Sequence, residues 1–227
     1  MFLLAPHPHQ AIPQRGSPRM FRIDWIDRYF SRVKPWQVAI LWIPLGLYLL
    51  ASGLRNPALP IVAWAGWAFA GLFGWTLLEY LLHRWIFHFR PNANSEMQKD
   101  LSFLIHGVHH DYPHDADRLV MPPFATAVIA SALWYPMLWA LGPAAHAPFF
   151  GALLLGYVWY DLTHFATHHG KAMTALGRWQ KKNHMRHHFK PEKVRFGVTT
   201  PFWDYVFRTH DRQADAMVPT IDDAVSH

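Results

Sequence analysis

The chain has 227 residues, is 52% hydrophobic and 16% aromatic, and carries a formal net charge of +6. It holds no cysteine but 17 histidines. That excludes disulfides, thiolate nucleophiles, iron–sulfur clusters and cysteine-ligated zinc, and leaves imidazole as the soft metal ligand. The basic excess falls between long uncharged tracts, a pattern that fits a membrane and argues against a nucleic acid partner.

In chain order, residues 1–35 read as a cytosolic N-terminal segment carrying Arg15, Arg19, Arg22, Arg28, Arg32 and Lys34. Its short apolar start, MFLLAP, is followed by prolines and arginines and does not read as a cleaved signal peptide. Trp36–Leu54 and Pro57–Leu78 contain no charge, and Leu119–Tyr160 runs 42 residues without Asp, Glu, Lys or Arg, interrupted only by GPAAHAP at 142–148. One crossing needs about 20 apolar residues. Four spans are therefore expected, near 36–54, 59–82, 123–141 and 149–165, the last being short, with Asp161 and His164 in its final turns. Twenty of the 21 Lys and Arg lie before the first span, between the second and third, or after the fourth, and only Arg55 lies on the other side. The positive-inside rule then places both termini and the middle loop in the cytoplasm. Residues 36–212 form the membrane domain and 213–227 a C-terminal tail.

Four histidine clusters fall on the cytoplasmic side of this topology: HRWIFH (His83, His88), HGVHH (His106, His109, His110), HFATHH (His164, His168, His169) and HMRHH (His184, His187, His188). Residues three and four apart share a helix face. That rule joins His106 with His109 and His110, His184 with His187 and His188, and His164 with His168, and it leaves His169 about 100° away. His83 and His88, five apart, lie about 140° apart on a straight helix and converge only if the helix bends or ends between them. His114 lies past Pro113, off the face of its cluster. Isolated His7, His9, His146, His210 and His227 read as ordinary polar residues.

Ten imidazoles are too many for one ion and exceed the four of a closed structural zinc site, so they suit two ions with open positions. The chemistry that needs two redox metals is O2 activation, and a membrane setting adds a long apolar substrate. Glu79, four before His83, and Asp161, three before His164, are expected to accept hydrogen bonds from ligating histidines, as carboxylates commonly do. A metal transporter fits less well, because transporter sites lie near the bilayer midplane. The expected fold is an all-α integral membrane protein: four transmembrane helices with a cytosolic helical cap that holds a histidine-rich dimetal site.

The spacing H-x4-H, H-x2-HH, H-x3-HH, H-x2-HH on this frame resembles the fatty acid hydroxylase (sterol desaturase-like) superfamily. RLVMPP (118–123), GYVWYDLTHFATHH (156–169) and FGVTTPFWDYVFRT (196–209) are similar to the fatty acid 2-hydroxylase branch. The similarity runs from about Leu77 to Thr209. It implies a monooxygenase that hydroxylates C2 of a long-chain fatty acid or sphingolipid N-acyl chain with O2 and two electrons; a sterol or carotenoid substrate is the alternative within the superfamily. It also implies two iron ions, for which zinc can substitute, on His83, His88, His106, His109, His110, His164, His168, His184, His187 and His188. Members of the branch commonly carry a fused cytochrome b5 domain. About 35 residues before the first span leave no room for one, so a separate electron-transfer protein is expected, and a bacterial inner membrane is expected over an endoplasmic reticulum. Arg118, between the second cluster and the third span, is expected to contact the substrate head group, with Pro122 and Pro123 starting that span. Trp203 is expected to anchor at the interface, and Asp204 to act as a cap or to support a ligand.

Overall fold

The structure, a computed structural model, describes residues 16–189 and 194–210. The expected tail at 213–227 and the first fifteen residues lie outside the described residues. All described regular structure is helical: α1 (Asp24–Phe30), α2 (Pro35–Leu54), α3 (Ile61–Leu81), α4 (Glu96–Ser102), α5 (Val108–Asp111), α6 (Pro123–His169), α7 (Ala175–Phe189) and α8 (Phe202–Val206). Proline sets three of the starts. Pro35 and Pro123 occupy the first turns of α2 and α6, and Pro60 immediately precedes α3. At these positions the missing N–H would have no partner in any case.

Three helical segments are long and apolar enough to cross a membrane: Pro35–Leu54, Ile61–Phe87 and Pro123–His169. The third holds 47 residues, about 70 Å if straight, more than twice a hydrocarbon core of roughly 30 Å. It is not straight. Gly142 leaves the helix at φ 71°, a conformation that costs glycine little and other residues much. The two arms then fold back on each other. The Trp134 and Phe150 rings lie 4.9 Å apart, and Thr126 Oγ1 donates to Tyr157 Oη at 2.9 Å. The sequence suggested a seven-residue interruption, GPAAHAP, but one glycine makes the reversal. Pro143 can open the second arm at once, because a first helical turn tolerates proline.

That second arm is the spine of the fold, packed by α2 and α3. Trp75 of α3 meets the arm edge-on at Tyr157, with ring centroids 5.5 Å apart. Leu153, Leu154, Val158 and Tyr160 complete the core. The outer surface is apolar: Trp139 is 89% exposed, Tyr135 74% and Phe69 70%. Aromatics this exposed need a nonaqueous cover, which a bilayer supplies. Helices α4, α5, α7 and α8 gather around the end of the bundle where α3 and the second arm stop.

Helix α3 approaches the second arm closely at Gly71, where an added Cβ would lie 2.0 Å from the Phe149 carbonyl oxygen. Backbone cannot yield as a flexible side chain can, so Gly71→Ala is expected to cost about 1–3 kcal/mol. Gly66→Ala, on the same helix with nothing within 4 Å, serves as the control. Thermal unfolding in detergent checks this: a lowered Tm for Gly71→Ala alone is expected, and equal Tm values for both would refute the contact.

Candidate metal centre

The first cluster sits where α3 changes its winding. Leu82–Phe87 forms a π-helical turn, closed by the His88 N–H on the His83 carbonyl at 3.2 Å. A π turn bonds residue i to i+5 and so stacks residues five apart. The His83 and His88 rings accordingly lie 5.0 Å apart. The bend that the i, i+5 spacing required is therefore a local widening of the helix. A second π turn, Phe103–Gly107, carries His106 into α5, which holds His109 and His110.

The second arm of α6 contributes His164 and His168, and α7 contributes His184, His187 and His188. The ten imidazoles sort into two groups of five, each able to hold a metal ion: His83, His88, His106, His110 and His187, and His109, His164, His168, His184 and His188. Neither group follows the sequence clusters. The α5 region and α7 each feed both groups, which sets them side by side. His110 and His188 stack across the boundary at 4.1 Å. His114 and His169 belong to neither group, and His169 stacks on Phe165. His146 is buried against Trp134 at the hairpin, and His210 lies on Tyr205.

Within each group the Nε2 atoms point at one another. His83 and His110 lie 3.2 and 3.1 Å from His106, and His88 lies 2.8 Å from His187. In the other group, His109 lies 3.0 Å from His164 and 2.8 Å from His188, while His184 lies 2.9 Å from His168 and 3.1 Å from His188. Two nitrogens each about 2.1 Å from one ion, at a right angle, lie roughly 3 Å apart. The donor set therefore fits two cations. Burial first, and neighbouring imidazoles second, hold His106, His109, His110, His184 and His188 well below the usual histidine range. They are neutral, the form that ligates metal.

Main-chain carbonyls of the 194–199 loop fix the His83 and His187 rings through Nδ1. His83 Nδ1 donates to the Phe196 carbonyl at 2.5 Å and His187 Nδ1 to the Val194 carbonyl at 2.7 Å. This assigns Nε2 of each as the lone-pair nitrogen. The carboxylates expected in that role act one step further out. Glu79 accepts the N–H groups of Val198 and Thr199 at 2.7 and 2.9 Å, together with the Thr199 hydroxyl. Asp204 accepts the N–H groups of Phe196 and Gly197 at 2.9 and 2.8 Å. They pin the 194–199 loop whose carbonyls hold the rings. Gly197 turns so tightly that a Cβ there would lie 2.1 Å from the Thr200 carbonyl oxygen. Asp161 accepts the Met121 N–H and the Tyr157 hydroxyl. The expectation that Glu79 and Asp161 bond histidines directly is thus corrected: at these depths the loop's buried N–H groups needed an acceptor, and the carboxylates supply it. The supporting carbonyls left no mark in the sequence, because every residue has one. Trp203 donates from Nε1 to Thr76 Oγ1 at 2.9 Å and packs on Phe73, which joins α8 to α3.

Arg118 is also corrected. Its side chain is 3% exposed, ion-paired to Asp115 at 2.7 Å and to Asp27 at 3.4 Å. The Ser17 and Ser31 hydroxyls also accept from its two terminal nitrogens, while its Nε is buried without a partner among the described residues. A guanidinium so enclosed spends its terminal nitrogens on protein partners. Burial alone would raise the Asp27 carboxyl. The N–H groups of Phe21 and Met20 and the charges of Arg118 and Arg32 instead hold it below the usual carboxylate range.

Comparison with known proteins gives the same direction as the geometry. Residues 68–209 match the family model for fatty acid hydroxylases. The chain is 37% identical over 205 residues to the dihydroceramide fatty acyl 2-hydroxylase FAH2 of Arabidopsis thaliana, covering 88% of this chain and 83% of that one. It is 38% identical to the fatty acid 2-hydroxylase of Rattus norvegicus and 42% identical to the ceramide very long chain fatty acid hydroxylase SCS7 of Saccharomyces cerevisiae. Those matches cover 84% and 77% of this chain but only 56% and 45% of the longer relatives. A solved structure of full-length scs7p, in which only the hydroxylase domain is visible, superposes with a TM-score of 0.75 at 37% identity, covering 82% of this chain and 70% of that one. With ten buried or half-buried imidazoles in two metal-sized groups and this match across most of its length, the chain belongs to the fatty acid hydroxylase family.

Proposed function

We propose that this protein is a four-span membrane monooxygenase that hydroxylates C2 of a long fatty acyl chain, free or N-linked in a sphingolipid. The reading rests on one observation above all: two five-imidazole groups lie beside an apolar cleft in the helix bundle. His83, His88, His106, His110 and His187 would hold one iron, and His109, His164, His168, His184 and His188 the other. Bound iron supplies the O2 activation needed to break a C–H bond that no side-chain acid or base can break.

The chain's own residues do the rest. Neutral ligands in a dry pocket keep the charge on the cations. Phe196 and Val194 hold two of the rings in one tautomer. The cleft is lined by Trp75, Leu82, Met121, Ala130, Leu133 and Tyr157, among others. On each of its three helical walls the lining spans eight residues, 75–82, 126–133 and 150–157, seven rises of 1.5 Å or roughly 10 Å. Leu82 at one end adjoins His83, so an acyl chain lying in the cleft would bring its head-group end to the histidines and exclude water there. Insertion of one oxygen atom from O2 needs two electrons from outside, and we assign them to a separate carrier protein. The charge distribution supports cytoplasmic termini and a cytoplasmic histidine face. The two arms of α6 then count as the third and fourth spans.

Three measurements test this. His109→Ala removes the imidazole that faces both His164 and His188. Iron in the purified protein is expected to fall from about two ions per chain to one or fewer. Formation of 2-hydroxy acyl lipid is expected to fall by more than the 10–100-fold typical of a lost outer partner. Normal product would end the ligand assignment. Ala130→Trp fills the cleft without touching a histidine, and should shift product toward shorter chains by roughly tenfold; an unchanged chain-length profile would remove the cleft from the reading. Because the chain has no cysteine, single substitutions report topology. Asn56→Cys and Ala144→Cys should label only from outside the cytoplasm, and Met173→Cys only from inside. Labelling of position 144 from the cytoplasm would rule out four spans.

A further inference from the structure

We propose that Arg118 is a positioning residue that decides which carbon of the acyl chain is hydroxylated, by holding Met121 against Asp161 at the mouth of the apolar cleft. The inference rests on the C2-hydroxylase reading and explains why the RLVMPP stretch belongs to this site although its arginine is enclosed within the protein.

The segment from Asp115 to Met121 is a strap laid across the bundle between α5 and α6. Arg118 fixes its middle. One terminal nitrogen of the guanidinium reaches Asp115 and Ser17, and the other reaches Asp27 and Ser31. The strap is thereby tied to its own start and to the segment before α2. A second tie runs from the Val33 N–H to the Asp117 carbonyl at 2.7 Å, and Lys34 ion-pairs with Asp117. Only a planar fork with several fixed donors spans two carboxylates and two hydroxyls at once, and a lysine ammonium does not.

The strap ends at the site. Leu119 and Val120 are buried. Met121 lines the cleft, and its N–H reaches both oxygens of Asp161, at 3.2 and 3.1 Å. Asp161 lies three residues before His164 on the same face of α6. Tyr157, one turn earlier, also lines the cleft and donates to Asp161 at 3.0 Å. Thr126, on the opposing wall, donates to Tyr157. The network therefore touches the cleft at Met121, Tyr157 and Thr126, and the second histidine group through the helix that carries His164. Adjacent carbons of an extended acyl chain differ in depth by little more than about 1 Å, a displacement that can cost roughly 10²-fold when reacting atoms are misplaced. A strap free to move by that distance would present the neighbouring carbon.

The test uses the full chain loaded with iron, as wild type and as Arg118→Gln, Arg118→Lys and Asp115→Asn. Three quantities are read: iron per chain, positional isomers of the hydroxylated acyl product by mass spectrometry, and hydrogen exchange in peptides covering 118–122. Iron content should match wild type, protection of the Met121 amide should fall, C2 hydroxylation per iron should drop roughly 10–100-fold, and 3-hydroxy product should appear. Arg118→Lys should fall between Arg118→Gln and wild type. Asp115→Asn is the milder variant, since its amide oxygen can still accept the Asp117 N–H, and it covers the case in which Arg118→Gln does not fold. A purely structural role predicts product loss in step with folded protein and no change of isomer, and that result overturns the proposal. Wild-type rate per iron with 2-hydroxy product alone overturns it too. A wild-type chain that makes no 2-hydroxy product would refute the reaction, while the exchange measurement still decides the link from Arg118 to Met121.

Discussion

Everything at the histidine end of this protein answers to one constraint: the Nε2 atoms of ten imidazoles face one another across about 3 Å in two largely enclosed groups. Facing lone pairs repel, and burial disfavours the protonation that would relieve them. A cation between the rings would relieve that repulsion, and the backbone already holds the rings where a cation could take them. Metal binding and local folding are in that sense one free-energy change.

Two departures from regular helix meet this demand. The π turns at Leu82–Phe87 and Phe103–Gly107 give up good hydrogen-bond geometry. In exchange they bring His83 and His88 to one face and pass His106 into α5. Neither an α-helix nor a loop does both. The chain also keeps these turns next to well-packed helices, α3 and the second arm of α6, so they sit on a rigid base.

The buried charges follow a common pattern. Glu79, Asp161, Asp204 and Arg118 are all buried, each in a place where an unpaired ion would be costly. None sits on a histidine. Glu79 and Asp204 collect main-chain N–H groups of the 194–199 loop, Asp161 collects the N–H of the strap, and Arg118 ties the strap to the N-terminal segment. They act as struts that hold loops, and the loops hold the rings. This explains how a membrane bundle keeps charge at the ends of its spans: the charge is spent on backbone that has no other partner.

Much of this was legible in the residues. Uncharged tracts of helix length mark the apolar helices because a bilayer removes every alternative to an internally bonded helix. Spacings of three and four mark eight of the ten histidines and discard His114 and His169 because helix geometry is local. What the sequence could not show depends on contacts between distant segments. The division into two groups of five cuts across the clusters, because α5 and α7 each lie between both groups. The i, i+5 pair left the bend open, since a π turn has no sequence signature. The carbonyls of Val194 and Phe196 are invisible among identical backbone groups. Arg118 looked like a head-group contact because its neighbours in sequence border the membrane; its partners, Asp27 and Ser17, lie about ninety and a hundred residues away. Composition and helical period determined which histidines gather at one end of the bundle, and tertiary packing alone decided how they are shared, oriented and held.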